Sequence, residues 1–209
     1  MVAEGVGREV PILQIKDAFV LEDAAGHDWT IGNDVIRYRI GRRDGEFRLL
    51  GLTDPAADHD WHHTSKPDSA VTVGGAPQTI GGPATPFVAA AVSEWHGGVR
   101  LDLEYRSVGS WLQMLRSYVV YPGSAVVETW TTFKNSGKRP ITLSDLNLYA
   151  IALENGTLGW IGGLGVPEDS GGAFTRMAGT LDDGQSIELG SDGRASERVV
   201  PWFLSLIHI

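Results

Sequence analysis

Apolar and polar residues alternate with a period of two along much of this chain, and turn dipeptides break the alternation at short intervals. The clearest stretch is WLQMLRSYVVYPGSAVVETWTTFKNSGKRPITL, from Trp111 to Leu143. It is rich in Val, Thr, Tyr, Trp and Phe, with interruptions at Pro122-Gly123 and at Asn135-Ser136-Gly137. Long β-prone runs cut by turn residues predict antiparallel strands with tight connections. The strands expected are about Trp111 to Tyr121, Ala125 to Lys134, and a third beginning near Pro140.

The same grammar continues on both sides. Val10 to Val20 alternates weakly and reads as one strand, followed by a turn at Gly26-His27-Asp28. In VIRYRI, Val35, Arg37 and Arg39 alternate with Ile36, Tyr38 and Ile40, so one face is buried. Arg43-Asp44-Gly45 is a hairpin turn, with a return strand from Glu46 to Leu52. Val99, Leu101, Leu103 and Tyr105 alternate with Arg100, Asp102 and Glu104, which predicts a strand with one face in water. Further strands are expected at Thr142 to Leu153, Phe174 to Met177, Ser186 to Leu189 and Val199 to Leu204, with Gly156 to Gly172 as a glycine-rich loop. No segment sustains a capped period of 3.6 residues. The fold class is therefore all-β, and a large two-sheet antiparallel β-sandwich is the economical architecture.

One stretch breaks the rhythm. Thr53 to Thr85 holds Asp-Pro, two Gly-Gly pairs and DHDWHHTSKPDS, with a short apolar alternation only at Ala70 to Val73. Ordered loops of this length in compact domains are usually functional.

Composition narrows the function classes. At 209 residues the chain can bury a sizeable core in one large domain without staples. The absence of Cys excludes disulfides and thiolate metal sites. A formal net charge of -9, with no run of Lys or Arg, argues against a nucleic-acid partner. The first residues lack a basic n-region and an apolar h-region, and no apolar run approaches membrane-spanning length. The expectation is a cytoplasmic protein with no membrane partner.

Candidate chemistry concentrates in the long loop. Asp58, His59, Asp60, His62 and His63 are metal-ligand types. Neighbours on a loop rarely converge on one ion without a distant ligand, so a solvated or ligand-facing loop is expected, with no metal and no cofactor. Sugars present apolar C–H faces that stack on aromatic rings and hydroxyls that bond to polar side chains. Trp61, His62, His63 and Asp68 supply both chemistries. Trp111, Trp130 and Trp202 fall in predicted strands and are expected in the core or at a domain interface. Trp95 and Trp160 sit at turns, where they could act as surface platforms. Asp102, Glu104 and Glu128 read as solvated strand carboxylates, and no nucleophile elbow marks any Ser.

The run from Trp111 to Leu143 resembles the N-terminal β-supersandwich domain of glycoside hydrolase family 36, the α-galactosidases. The points of likeness are the Tyr-Pro-Gly-Ser corner at Tyr121 to Ser124 and the strand turn from Phe133 to Leu143. DWHHTSKPDSAVTVGG and GSDGRASERVVPWF resemble two further stretches of that domain. The resemblance implies a single sandwich over residues 1–204. The closing LSLIHI separately resembles adapter read-through, so 205–209 are expected as a non-native tail, with a natural terminal strand as the alternative. The family resemblance implies that the catalytic (β/α)₈ barrel, with its pair of carboxylates, lies outside this chain. It also implies an α-galactoside substrate, the barrel and a homo-oligomer as partners, and loop residues that reach an active-site rim, Asp68 among them. Beside this reading stands a free-standing carbohydrate-binding or structural β-sandwich. A third possibility is a mutarotase-like enzyme with its own His and carboxylate.

Overall fold

The computed structural model describes residues 10–26, 28–62, 67–147, 156–162, 176–182 and 199–206. The chain divides into two compact units, Met1–Ala152 and Leu153–Ile209. No helix occurs among the described residues.

Thirteen strands lie among the described residues of the first unit. They are β1 (Leu13–Ile15), β2 (Ala18–Glu22), β3 (Asp28–Gly32), β4 (Arg37–Arg43), β5 (Glu46–Asp54), β6 (His59–Asp60), β7 (Ala70–Val73), β8 (Ala76–Thr79), β9 (Phe87–Trp95), β10 (Gly98–Arg106), β11 (Leu112–Val120), β12 (Val127–Asn135) and β13 (Leu143–Asn147). The strands β1 to β6 form one antiparallel sheet in chain order, and a second sheet has the order β12-β11-β10-β9. A smaller sheet has the order β13-β7-β8. The two large sheets face each other across one core, as a sandwich must. Ala18, Val20, Trp29, Ile31, Tyr38, Ile40, Phe47 and Leu49 come from one side, and Val99, Leu101, Leu103, Tyr105, Met114 and Tyr118 from the other. Val71, Val73 and Ile80 join them from the small sheet and its flank.

Hairpin chemistry sets the registers. Asp44 and Gly45 both have positive φ, as do His96 and Gly97. Two-residue turns with that geometry match the twist of the flanking strands. Arg43 accordingly pairs with Glu46, and Trp95 with Gly98. A bulge in β5 opposite Arg39 and Ile40 shifts the phase, so that Leu49 faces Ile40 while Leu52 faces Tyr38. Both leucines thereby reach the core.

Several expected boundaries move. Val10 to Val20 is two strands, because the chain reverses at Lys16-Asp17 and pairs Ile15 with Ala18. The long loop contains β6, β7 and β8. Gly156 to Gly162, expected as loop, is strand β14 of the second unit. Its β-prone Thr157, Leu158, Trp160 and Ile161 prevail over the interspersed glycines. In that unit β14 lies between β15 (Arg176–Leu181) and β16 (Val199–Leu206). Ser205 and Leu206 pair with Leu158 and Thr157 there. The expected strand at Ser186 to Leu189 lies outside the described residues.

An ion cluster ties β3 to β4. The Asp28 carboxylate accepts a two-pronged pair from Arg43 at 2.7 and 2.6 Å, and a further bond from Arg39 at 2.7 Å. The Arg43 bond, assisted by Arg39, holds the Asp28 pKa below its ordinary 3.8 against the opposing effect of burial. A carboxylate with a lowered folded pKa adds stability above its unfolded pKa and loses it as pH falls through the folded one. Asp28→Asn is therefore expected to cost stability at neutral pH, with the deficit shrinking below about pH 4. Urea midpoints of both proteins across that range measure this. A deficit independent of pH would dismiss the ionic origin.

Candidate ligand-contacting loop

The loop after β5 is built by local acceptor side chains. Asp54 Oδ1 accepts from the Ala56 and Ala57 amides at 2.8 and 3.1 Å. The strand β6 then returns along β5, pairing Asp60 with Thr53. Asp60 Oδ1 accepts from the Leu52 amide at 3.1 Å and the His62 amide at 2.9 Å. The Trp61 amide donates to the Leu52 carbonyl at 2.9 Å. The half-buried Trp61 ring meets His59 edge to face at 5.7 Å. The half-buried His62 has a buried Nε2 that finds no partner among the described residues. His63 lies outside the described residues. Trp61 and His62 are thus adjacent on a backbone pinned to β5, which can offer a ligand apolar contact and polar atoms at one edge of the sheet.

Asp68 takes a different position from Trp61 and His62. It was expected on the same rim, but only 2% of it is exposed. Its Oδ1 accepts a hydrogen bond from the Tyr38 hydroxyl. Its Oδ2 accepts from Arg116 Nε at 2.9 Å and from the Tyr118 hydroxyl at 2.7 Å. Arg116, 1% exposed, also donates from Nη1 to Thr131 Oγ1 at 3.2 Å, and its guanidinium lies 5.2 Å from the Tyr118 ring centre. Burial opposes the Arg116 charge, but the oxygens of Tyr118 and Asp68 outweigh it and raise the pKa. Burial also pushes the Tyr118 and Tyr105 hydroxyls well above 10. Tyr118 therefore keeps the proton it gives to Asp68. A buried ion pair persists where such hydrogen bonds satisfy its remaining lone pairs. In chemical terms Asp68 anchors the C-terminal end of the loop, and its carboxylate faces inward.

The place of Arg116 is signalled by the alternation of β11. Arg116 shares the inward phase of LQMLRSYVV with Leu112, Met114, Tyr118 and Val120, all buried. A charge on a buried phase demands a buried counter-charge.

The tryptophans separate by environment. Trp95 and Trp130 are half-buried with centroids 6.1 Å apart, and Arg100 lies 4.6 and 5.1 Å from them. Arg100 is held in turn by Asp102 at 2.8 Å and Ser117 at 3.2 Å. Trp95, a possible platform by sequence, thus carries a guanidinium over its ring. Trp111, expected in the core or at an interface, is 73% exposed. The side chains of Trp160 and Trp202 lie outside those described. The strand carboxylates Asp102 and Glu104 pair with Arg100 and Arg106. Glu128 accepts from the Tyr121 hydroxyl at 3.3 Å. Among the described residues, no group of three His, Asp or Glu could hold a metal ion.

One turn motif is a cross-link and the other is closed locally. Asn33, fully buried, donates from Nδ2 to the Tyr121 and Ser124 carbonyls at 2.8 and 2.7 Å. The Gly123 amide donates to Asp17 Oδ2 at 3.0 Å. At the other corner Asn135 Oδ1 accepts from the Gly137 amide at 2.9 Å, and its Nδ2 donates to the Arg139 carbonyl at 2.7 Å. No family model, curated protein or solved structure matches the chain.

Proposed function

We propose that this chain is the non-catalytic N-terminal β-sandwich of an α-galactosidase-like glycoside hydrolase. In this reading it works in the cytoplasm beside a catalytic barrel, in a homo-oligomer, and lends Trp61, His62 and His63 to the rim over a terminal α-galactoside. Asp68 serves that rim indirectly, by anchoring the loop from within. The barrel's two carboxylates would carry the retaining chemistry. The observation that carries the reading is the pair of turn motifs behind the resemblance. The Tyr121 to Ser124 corner has partners distant in the chain, Asn33 and Asp17, and the turn after β12 is closed by its own Asn135.

The test is hydrolysis of an aryl α-galactoside by the whole chain, with galactose titrated by calorimetry. No turnover is expected, with weak galactose binding that falls roughly tenfold, about 1.4 kcal/mol, in Trp61→Ala. Turnover above the uncatalysed rate would overturn the non-catalytic assignment. Galactose binding unchanged by Trp61→Ala would remove the loop from the rim.

A further inference from the structure

Trp111 stands just before β11, with its ring in water and its back against the turn that follows β12. An ideal Cβ on Gly137 would approach Trp111 Cδ1 to 2.8 Å and its Cβ and Cγ to 2.9 Å, so only glycine lets the ring lie this close. The Ser136 amide donates to the Trp111 carbonyl at 2.9 Å, and Asn135 braces the turn from within. The indole is therefore supported from behind while remaining 73% exposed.

A groove runs beside the ring, lined by Ser110, Trp111, Lys138, Arg139 and Ile141. Lys138 and Arg139 are exposed, and among the described residues no Asp or Glu lines the groove. In a chain of net charge -9 this is a local positive site. A supported aromatic face loses little freedom when a ligand covers it. Guanidinium and ammonium groups beside it favour a carboxylate, to which Arg can bond with two prongs. Two cations in an acidic chain are too few to hold a phosphate backbone.

We propose that this groove binds a pyranose chain bearing carboxylates, a polyuronate-type glycan. Trp111 stacks on a sugar face, while Arg139 and Lys138 hold the carboxylates. The site is independent of the loop at Trp61 and of the α-galactoside reading.

The test titrates the whole chain with tetragalacturonate at low salt, read by tryptophan fluorescence and calorimetry, with neutral galactotetraose and AMP as comparators. Binding to the uronate is expected, at least tenfold tighter than to the neutral sugar or AMP, and weakened by added salt. Trp111→Ala is expected to lower affinity at least tenfold, and Arg139→Gln severalfold with a flatter salt dependence. Trp61→Ala should leave uronate binding unchanged. Trp111 is exposed, so circular dichroism of Trp111→Ala should match the parent. Gly137→Ala, which displaces the ring while leaving it in place chemically, should weaken binding as well. Four outcomes would each overturn the assignment. They are absence of binding at millimolar tetragalacturonate, equal affinity for the neutral sugar, tighter binding of AMP, and affinity unaffected by Trp111→Ala.

Discussion

Arg116→Met is expected to cost about 3–5 kcal/mol of stability, because it leaves the Asp68 carboxylate buried without its counter-charge. Arg116 and Asp68 are 1% and 2% exposed, so water cannot take over the lost contact without opening the sandwich. The Tyr38 and Tyr118 hydroxyls remain as donors to Asp68. They stabilise the anion but carry no charge. Neutralising the partner as well should recover part of the loss. The double variant Arg116→Met with Asp68→Asn is expected to be more stable than Arg116→Met alone by about 1 kcal/mol or more, since a neutral amide costs less to bury than an unpaired carboxylate. Urea unfolding of both singles and the double gives the coupling directly. Strictly additive losses would mean that the pair does not act as a unit. The same substitution should also loosen residues 58–62, because Asp68 holds the far end of their loop. Faster amide exchange at the Trp61 and His62 amides would report this.

Asn33→Asp is expected to destabilise by about 2–5 kcal/mol although it changes almost no volume. Asn33 uses its whole side chain. Its Oδ1 accepts from the Val35 and Ile36 amides, each at 2.8 Å, and its Nδ2 donates to two carbonyls of the Tyr121–Ser124 corner. A carboxylate keeps the first pair of bonds but turns an acceptor toward two carbonyl oxygens. Both carbonyls lose the Nδ2 donor, the Tyr121 carbonyl keeping only the Ser124 amide at 3.2 Å, and the charge is repelled. The introduced carboxyl should bind its proton more tightly in the folded than in the unfolded state. A raised folded pKa means that the folded state takes up more protons, so the variant regains stability as pH falls. Guanidinium midpoints from neutral to acid pH would show the gap to the parent narrowing. A gap that widens instead would refute the donor role of Nδ2.

The two corners differ in how far the sequence could announce them. Tyr121 to Ser124 and Asn135 to Gly137 were recognisable as turns, because Pro, Gly and Asn declare their local geometry. Nothing near residue 121 indicates that Asn33 would complete the corner, because the bond spans 88 residues. The candidate loop followed the same rule. Its place after β5 was legible from the loss of alternation, and the side-chain types at Trp61 and His62 from inspection. The inward turn of Asp68 was not, because its partners lie 30, 48 and 50 residues away. The glycines of Gly156 to Gly162 hid a strand for a related reason. Propensity counts side chains, whereas the β14 ladder is made of backbone bonds to two neighbours.

The all-β class, the hairpin turn at Asp44-Gly45 and the inward faces of β4 and β10 were legible from residue order. These depend on a period of two and on φ preferences, which act over a few residues. Which polar groups meet in the interior and which aromatic ring stays outside followed only from packing. Asp68 became an anchor because three donors from β4 and β11 surround it, and Trp111 became a platform because Gly137 leaves room for its ring. Such outcomes depend on the approach of segments distant in the chain, and no local pattern of residues encodes that approach.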